Sequence, residues 1–318
     1  MVNKSDKETI DFYEGLKGLS PKEKAPNSLN VLNKWVSYAE KQMRASESGR
    51  LSWLVASTIV TAKLQEVIDE SGKGRFLLKG GTLLQHRLSG STRATKDLDG
   101  IVRGDFDEFL TLLKEGLEVP WGVVEFDCTD SEIINTPAKV IKPRRFGMLL
   151  KLRGKVWRKI TVEISPDEGA AGSSGEGFPA PSLAGLGLPT PDELVGLSMS
   201  YQIAQKIHAV SDPHKPPEYV NDRARDVVDL LLLKSLIDAT GSPSVGDIFV
   251  AVRDIFDSRG HEARELGRFV RTWPTQIVAY PHWEVDYKTA AESVGIAIEL
   301  KDAVEQLNEW LESFGGRS

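Results

Sequence analysis

This chain is poor in the residues that build several common kinds of site. It has one cysteine, Cys128, so it forms no internal disulfide and no cysteine-based zinc centre. Its five histidines, His86, His208, His214, His261 and His282, show no metal-ligand spacing. No stretch approaches the ~18 uninterrupted apolar residues of a membrane span. The charged N-terminal stretch lacks the apolar core of a secretory signal, so a cytoplasmic protein is expected. Positive charge is not in excess: 40 Lys and Arg against 46 Asp and Glu leave a net charge of −6. Any contact with nucleic acid must therefore come from a local basic patch. What remains is an ordinary globular composition, 318 residues with 40% hydrophobic and 27% charged, enough for two domains and a sizeable core.

Residues 1–30 are polar, carry Gly15, Gly18, Pro21 and Pro26, and read as a loosely attached helix and linker. Apolar periodicity predicts helices over 28–44, 50–70 and 105–118, and strands over 76–79, 97–102, 123–128, 148–153 and 159–165. Residues 166–191 are dense in glycine and proline and read as a loop, with a domain boundary near 185. Beyond Pro191 no strand is expected. Helices are predicted over 191–210, 221–236, 245–257, 261–270 and 287–314. The fold class is α+β: a mixed-sheet domain with N-terminal and flanking helices over 1–185, then a helical domain over 186–318.

The densest signal is Phe76-Leu-Leu-Lys-Gly-Gly-Thr82, with fifteen residues between Gly81 and the Asp97-Leu-Asp99 that follows. An apolar strand enters a double glycine and a short helix. Two carboxylates then stand two apart on a second strand. Alternate strand residues share a face, so Asp97 and Asp99 aim together, and paired carboxylates suit Mg²⁺. Gly80 and Gly81 let backbone N–H groups approach a phosphate at a helix start. The Thr82 hydroxyl could donate to that phosphate, and Lys79 could pair with it. Either glycines or Asp-x-Asp alone would be weak evidence; their order and spacing together point to a nucleoside triphosphate (NTP).

This combination is the pattern of the polymerase-β-like nucleotidyltransferases. Lys79-Gly80-Gly81-Thr82 with Thr95-Lys96-Asp97-Leu98-Asp99 closely resembles the AbiEii/AbiGii toxin family, members of which are toxins of toxin–antitoxin and abortive-infection systems. The resemblance implies a polymerase-β-like mixed sheet, an NTP substrate, and Asp97 and Asp99 as Mg²⁺ ligands. In that superfold a third carboxylate often comes from a neighbouring strand. Glu163, on the polar side of Ile160-Thr-Val-Glu-Ile164, is the candidate here, as a third ligand, a general base or a solvated outward residue.

From Ile133 to Val162 no acidic residue occurs, while Lys139, Lys142, Arg144, Arg145, Lys151, Arg153, Lys155, Arg158 and Lys159 do, with Phe146 and Trp157 between them. Basic residues interleaved with aromatics suit a phosphate backbone and exposed bases. Arg144, Arg145, Lys151 and Arg153 are the candidate RNA contacts; a solvated charged face is the plainer alternative.

A second cluster follows, Lys206-Ile-His-Ala209 and Arg223-Ala-Arg-Asp226-Val-Val-Asp229. Taken alone it reads as helices with ordinary intrahelical ion pairs. The family resemblance makes Lys206 and Asp226 functional, Lys206 on the triphosphate and Asp226 orienting Lys206 or the attacking hydroxyl. Arg223 and Asp229 are then supports. This resemblance spans about residues 75–235.

The function so implied is that of a nucleotidyltransferase toxin using Mg²⁺ to move a nucleotide from an NTP to an acceptor. That acceptor is expected to be the 3′ end of tRNA, blocking translation, with a cognate antitoxin as partner. AMP transfer to a protein and a non-catalytic nucleotide- or RNA-binding module are the alternatives. A phosphate on Thr95, two residues before Asp97, would add about −1.5 to −2 charge beside the carboxylates and repel the triphosphate. His208 is read as a surface residue and Cys128 as a buried structural thiol.

Overall fold

The computed structural model describes residues 11–43, 49–89, 95–217 and 219–314. Residues 1–10 and Arg44, read above as part of a loose N-terminal segment and as a helix end, lie outside the described residues. The chain divides into two units. One comprises Met1–Thr136, Ile141–Asp167 and Gly175–Gly196; the other comprises Pro137–Val140, Glu168–Ser174 and Leu197–Ser318. The division thus falls near 196 rather than 185, and two short segments of the earlier chain belong to the second unit.

The first unit opens with helices α1 (Phe12–Lys17), α2 (Leu29–Gln42) and α3 (Arg50–Gln65). From Asp11 onward the N-terminal segment is packed rather than loose. Phe12 and Leu16 of α1 are buried, and the Phe12 N–H donates to Ser89 O at 3.0 Å. α3 is buried from Leu51 to Leu64 except at Trp53, as its nearly continuous apolar and small residues require. Its Ser57 and Thr58 hydroxyls satisfy themselves on the Leu54 carbonyl, at 3.0 and 2.8 Å.

Strand β1 (Phe76–Lys79) then enters α4 (Gly80–Arg87), followed by β2 (Asp97–Val102) and α5 (Phe106–Gly116). Asp105 caps α5, accepting from the Asp107 and Glu108 N–H groups at 2.9 Å, and Phe109, Leu110 and Leu113 form its buried stripe. Strands β3 (Glu125–Cys128), β4 (Glu132–Ile133), β5 (Arg144–Leu152), β6 (Lys155–Pro166), β7 (Gly175–Phe178) and β8 (Leu194–Leu197) complete a mixed sheet of order β3-β5-β6-β2-β1-β8-β7, with β4 on β5. Cys128 is only half-buried, and burial pushes its thiol up to about 11, so it is no nucleophile at neutral pH.

Two expectations fail around residue 190. The glycine-rich loop contains β7, where a Cβ on Gly177 would run into Glu193. The helix expected from Pro191 starts only at Met199, because Leu194–Leu197 is a strand beside β1. A four-residue apolar run fits either state by periodicity. Here the Gln65 amide settles it, accepting from the Val195 N–H at 3.1 Å and donating to the Val195 carbonyl at 2.5 Å.

The second unit holds α6 (Met199–Val210), α7 (Ala224–Thr240), α8 (Val245–Glu265), α9 (Glu284–Ser293) and α10 (Leu300–Glu312). α8 runs unbroken where two helices were expected. It starts with a reciprocal capping box between Ser244 and Asp247. Glu168 ties the unit's two short segments to these helices. It accepts from Lys139, from Arg259 Nη2 at 2.8 Å and from Gln205 Nε2 at 3.2 Å.

His86 of α4 is buried against Tyr13, and burial pushes its pKa down to about 3. The unfolded chain takes up this proton below about pH 6.5, and the folded one does not. Stability therefore falls as pH drops from 6.5 toward 3, by about 1.4 kcal/mol per pH unit for this group. Urea unfolding at pH 7, 6 and 5 should show a shallower pH slope for His86→Gln than for wild type; equal slopes would contradict this.

Candidate active site

The site begins at the junction of β1 and α4. Lys79 ends the strand in an extended conformation, and Gly80 turns at φ +67. That left-handed region favours glycine. A Cβ at Gly80 would also collide with the Asp99 carboxylate. The glycine thus lets the first turn of α4, with the positive end of its dipole, lie directly beside Asp99.

Thr82 is fully buried, and its hydroxyl donates to the Asp97 carbonyl at 2.9 Å. In this arrangement Thr82 positions the start of β2. Thr95 donates to the same carbonyl at 3.3 Å. Two hydroxyls therefore fix the backbone at Asp97.

Strand register then assembles a row of four charges. Lys79 lies opposite Asp99 across the antiparallel β1–β2 pair. Asp99 lies beside Glu163 across the parallel β2–β6 pair, and Glu163 lies opposite Arg145 across the antiparallel β6–β5 pair. Registered neighbours share a face of the sheet. Asp97, two residues before Asp99, is on the same face and exposed. Arg145 Nε donates to Glu163 Oε1 at 2.8 Å and its Nη2 donates to the same oxygen. Lys79 Nζ donates to Ser165 Oγ at 2.6 Å.

Among the described residues no three metal-binding side chains are grouped. Glu163 is turned to Arg145 rather than to the aspartates. The Asp97–Asp99 pair nevertheless suits Mg²⁺, which takes one or two carboxylates and completes its shell with phosphate oxygens and water.

The basic segment is divided by the structure. Phe146 and Trp157 are buried, so neither offers a stacking surface to a base. Arg144 is bound through both terminal nitrogens to Asp107, and Lys151 to Asp127 at 2.5 Å. Arg153 and Lys155 lie exposed at the β5–β6 turn, where Arg153 and Gly154 both have positive φ, as a two-residue hairpin loop requires. Of the four candidate RNA contacts, Arg145 and Arg153 are therefore the more accessible.

A β-bulge between Leu150 and Lys151 leaves Trp157 as the unpaired residue of β6. Without it Glu163 would face Arg144, and a one-residue slip exchanges the faces of a strand. Trp157 is anchored by its indole N–H on Asn33 Oδ1 at 3.1 Å. Counting back from the hairpin turn therefore pairs the wrong arginine with Glu163, and only the bulge corrects it.

In the second unit Lys206 is buried on α6. Its Nζ donates to Asp226 Oδ1 at 2.8 Å and to Asp229 Oδ2 at 2.6 Å. Burial alone would pull its pKa down, but the two carboxylates outweigh burial and hold it above the usual lysine value. Asp229 is thus as direct a partner of Lys206 as Asp226, beyond the supporting place expected of it. The start of α7 is set by Asn221, whose Nδ2 donates to the Val210 and Asp212 carbonyls at 3.1 and 2.6 Å, with Trp283 Nε1 on Asn221 O at 2.6 Å.

His208, expected at the surface, is buried beside Phe256, with Arg259 Nη1 2.9 Å from Nδ1 and Arg271 Nη2 2.9 Å from Nε2. Burial, then the two guanidiniums, hold its pKa far below the ordinary histidine value, so it is neutral.

The sequence model of the nucleotidyl transferase AbiEii toxin family, of type IV toxin–antitoxin systems, matches residues 63–312, and the chain belongs to that family. The match contains every charged residue of the row on the sheet and the Lys206 cluster. It also reaches the C-terminal helices, beyond the span of motifs recognised from the sequence. Among solved structures the chain is similar to the nucleotidyltransferase toxin MenT4 from Mycobacterium tuberculosis H37Rv, at 15% identity and TM-score 0.43, covering 90% of this chain and 97% of that one. It is also similar to the antibiotic-resistance factor ANT(2'')-Ia, at 15% identity and TM-score 0.34, covering 67% and 94%. At that distance neither says anything about this chain's substrate. No curated relative matches.

Replacing Lys206 by Met leaves Asp226 and Asp229 buried without their shared cation, which should cost about 3–5 kcal/mol in urea unfolding. Adding Asp229→Asn to that variant should restore part of the loss. A Lys206→Met protein as stable as wild type would show that the cluster contributes nothing to folding.

Proposed function

We propose that this chain transfers a nucleotide from an NTP to an RNA acceptor, the 3′ end of tRNA, using Mg²⁺ held by Asp97 and Asp99. The observation that carries this reading is the close approach of Gly80 to the Asp99 carboxylate, which supports a helix start beside one of the two aspartates. Mg²⁺ bound there would neutralise charge on the transferred phosphate and the leaving pyrophosphate. Lys79 and the first turn of α4 would hold the triphosphate. The family resemblance assigns Lys206, kept cationic by Asp226 and Asp229, to the triphosphate. Arg153 and Lys155 at the hairpin turn would meet the acceptor backbone.

The tRNA end is the acceptor that the family resemblance implies, and transfer there would block translation. A cognate antitoxin belongs to that reading. A phosphate on Thr95 would remove its bond to the Asp97 carbonyl and repel the triphosphate.

Asp97→Asn and Asp99→Asn should each keep the fold and lower incorporation of labelled nucleotide by at least about 10²-fold. Purified protein is given each labelled NTP with total RNA and, separately, with protein extract. Label in RNA that disappears with Asp97→Asn supports the proposal. Label in protein alone replaces it with protein nucleotidylation, and full growth inhibition by Asp97→Asn removes catalysis from the account.

A further inference from the structure

Asp99 and Glu163 are registered neighbours on parallel strands, about 4.8 Å apart in the sheet. Their carboxylates share a face, and adjacent like charges repel. Arg145 offsets that repulsion on one side, with both Nε and Nη2 on Glu163 Oε1. The bond is within reach of solvent: the Arg145 side chain is 50% exposed and that of Glu163 26%. An ion pair so placed is weak enough to exchange. The neighbouring Arg144 cannot take over, because it is clamped on Asp107 and over the Phe106 ring.

We propose that Arg145 and a divalent cation compete for Glu163. Without the ion, the guanidinium holds the carboxylate. With the ion on Asp97 and Asp99, Glu163 joins its oxygen shell, and Arg145 is released to bind an oxygen of the triphosphate. Arg145 then couples metal loading to triphosphate binding. The inference rests on Asp97 and Asp99 being the metal ligands.

The test is Mn²⁺ binding by the full chain, read by electron paramagnetic resonance, because Mn²⁺ takes the same hard oxygen ligands as Mg²⁺. Arg145→Gln should bind Mn²⁺ about two- to five-fold more tightly than wild type, the range set by an exposed ion pair. In the presence of Mn²⁺ the same variant should bind inorganic triphosphate more weakly. In a Glu163→Gln background the tightening by Arg145→Gln should vanish, and Arg144→Gln should not reproduce it.

Tightening that persists without Glu163, or that Arg144→Gln matches, would overturn the proposal in favour of general charge effects. Unchanged Mn²⁺ affinity in Arg145→Gln, with binding still abolished by Asp97→Asn, would overturn the competition alone. Mn²⁺ bound equally by wild type and Asp97→Asn would overturn the metal reading beneath it.

Discussion

Two carboxylates held side by side in a sheet are costly unless positive charge is supplied to them. Asp99 and Glu163 are such a pair, fixed by the parallel register of β2 and β6. The rest of the first unit's site answers that constraint. Lys79 flanks the row on one side and Arg145 on the other. The positive end of α4 meets Asp99 through a glycine that leaves no room for a side chain. The four registered side chains therefore offset one another's charge, and Asp97 adds a further exposed carboxylate to the same face.

The second unit solves the opposite problem. One ammonium, Lys206, is buried, and two carboxylates one helical turn apart hold it charged. His208 nearby is kept neutral between two arginines, so that corner of α6 is tuned by Arg259 and Arg271 rather than by its own titration. Membership of the AbiEii toxin family covers both clusters. Each of them is built from residues that would destabilise the fold if left without the others.

The parts of the site readable from sequence were those set by local pattern. β1 and β2 were expected at the residues where they occur, because an apolar run ending in Gly-Gly and an alternating Asp-Leu-Asp leave little choice. β7 and β8 were missed because glycine-rich and four-residue apolar segments depend on their neighbours, here Glu193 and the Gln65 amide. The basic segment was readable as charge but not as structure. Its aromatics are core residues, and its arginines divide between Asp107 and Glu163 according to a bulge at Trp157 that no periodicity announces. The bond of the Thr82 hydroxyl to the Asp97 carbonyl has no sequence signal, since only the fold brings the two together.

The central claim is that the α-phosphorus of an NTP moves to the acceptor while pyrophosphate leaves. It is tested most directly by following both ends of one NTP, labelled at the α-phosphorus in one reaction and at the γ-phosphorus in a parallel one. The account predicts α label in the acceptor and γ label released as pyrophosphate in equal amount. Label from the γ position in the acceptor, or release of single phosphate instead of pyrophosphate, would contradict it.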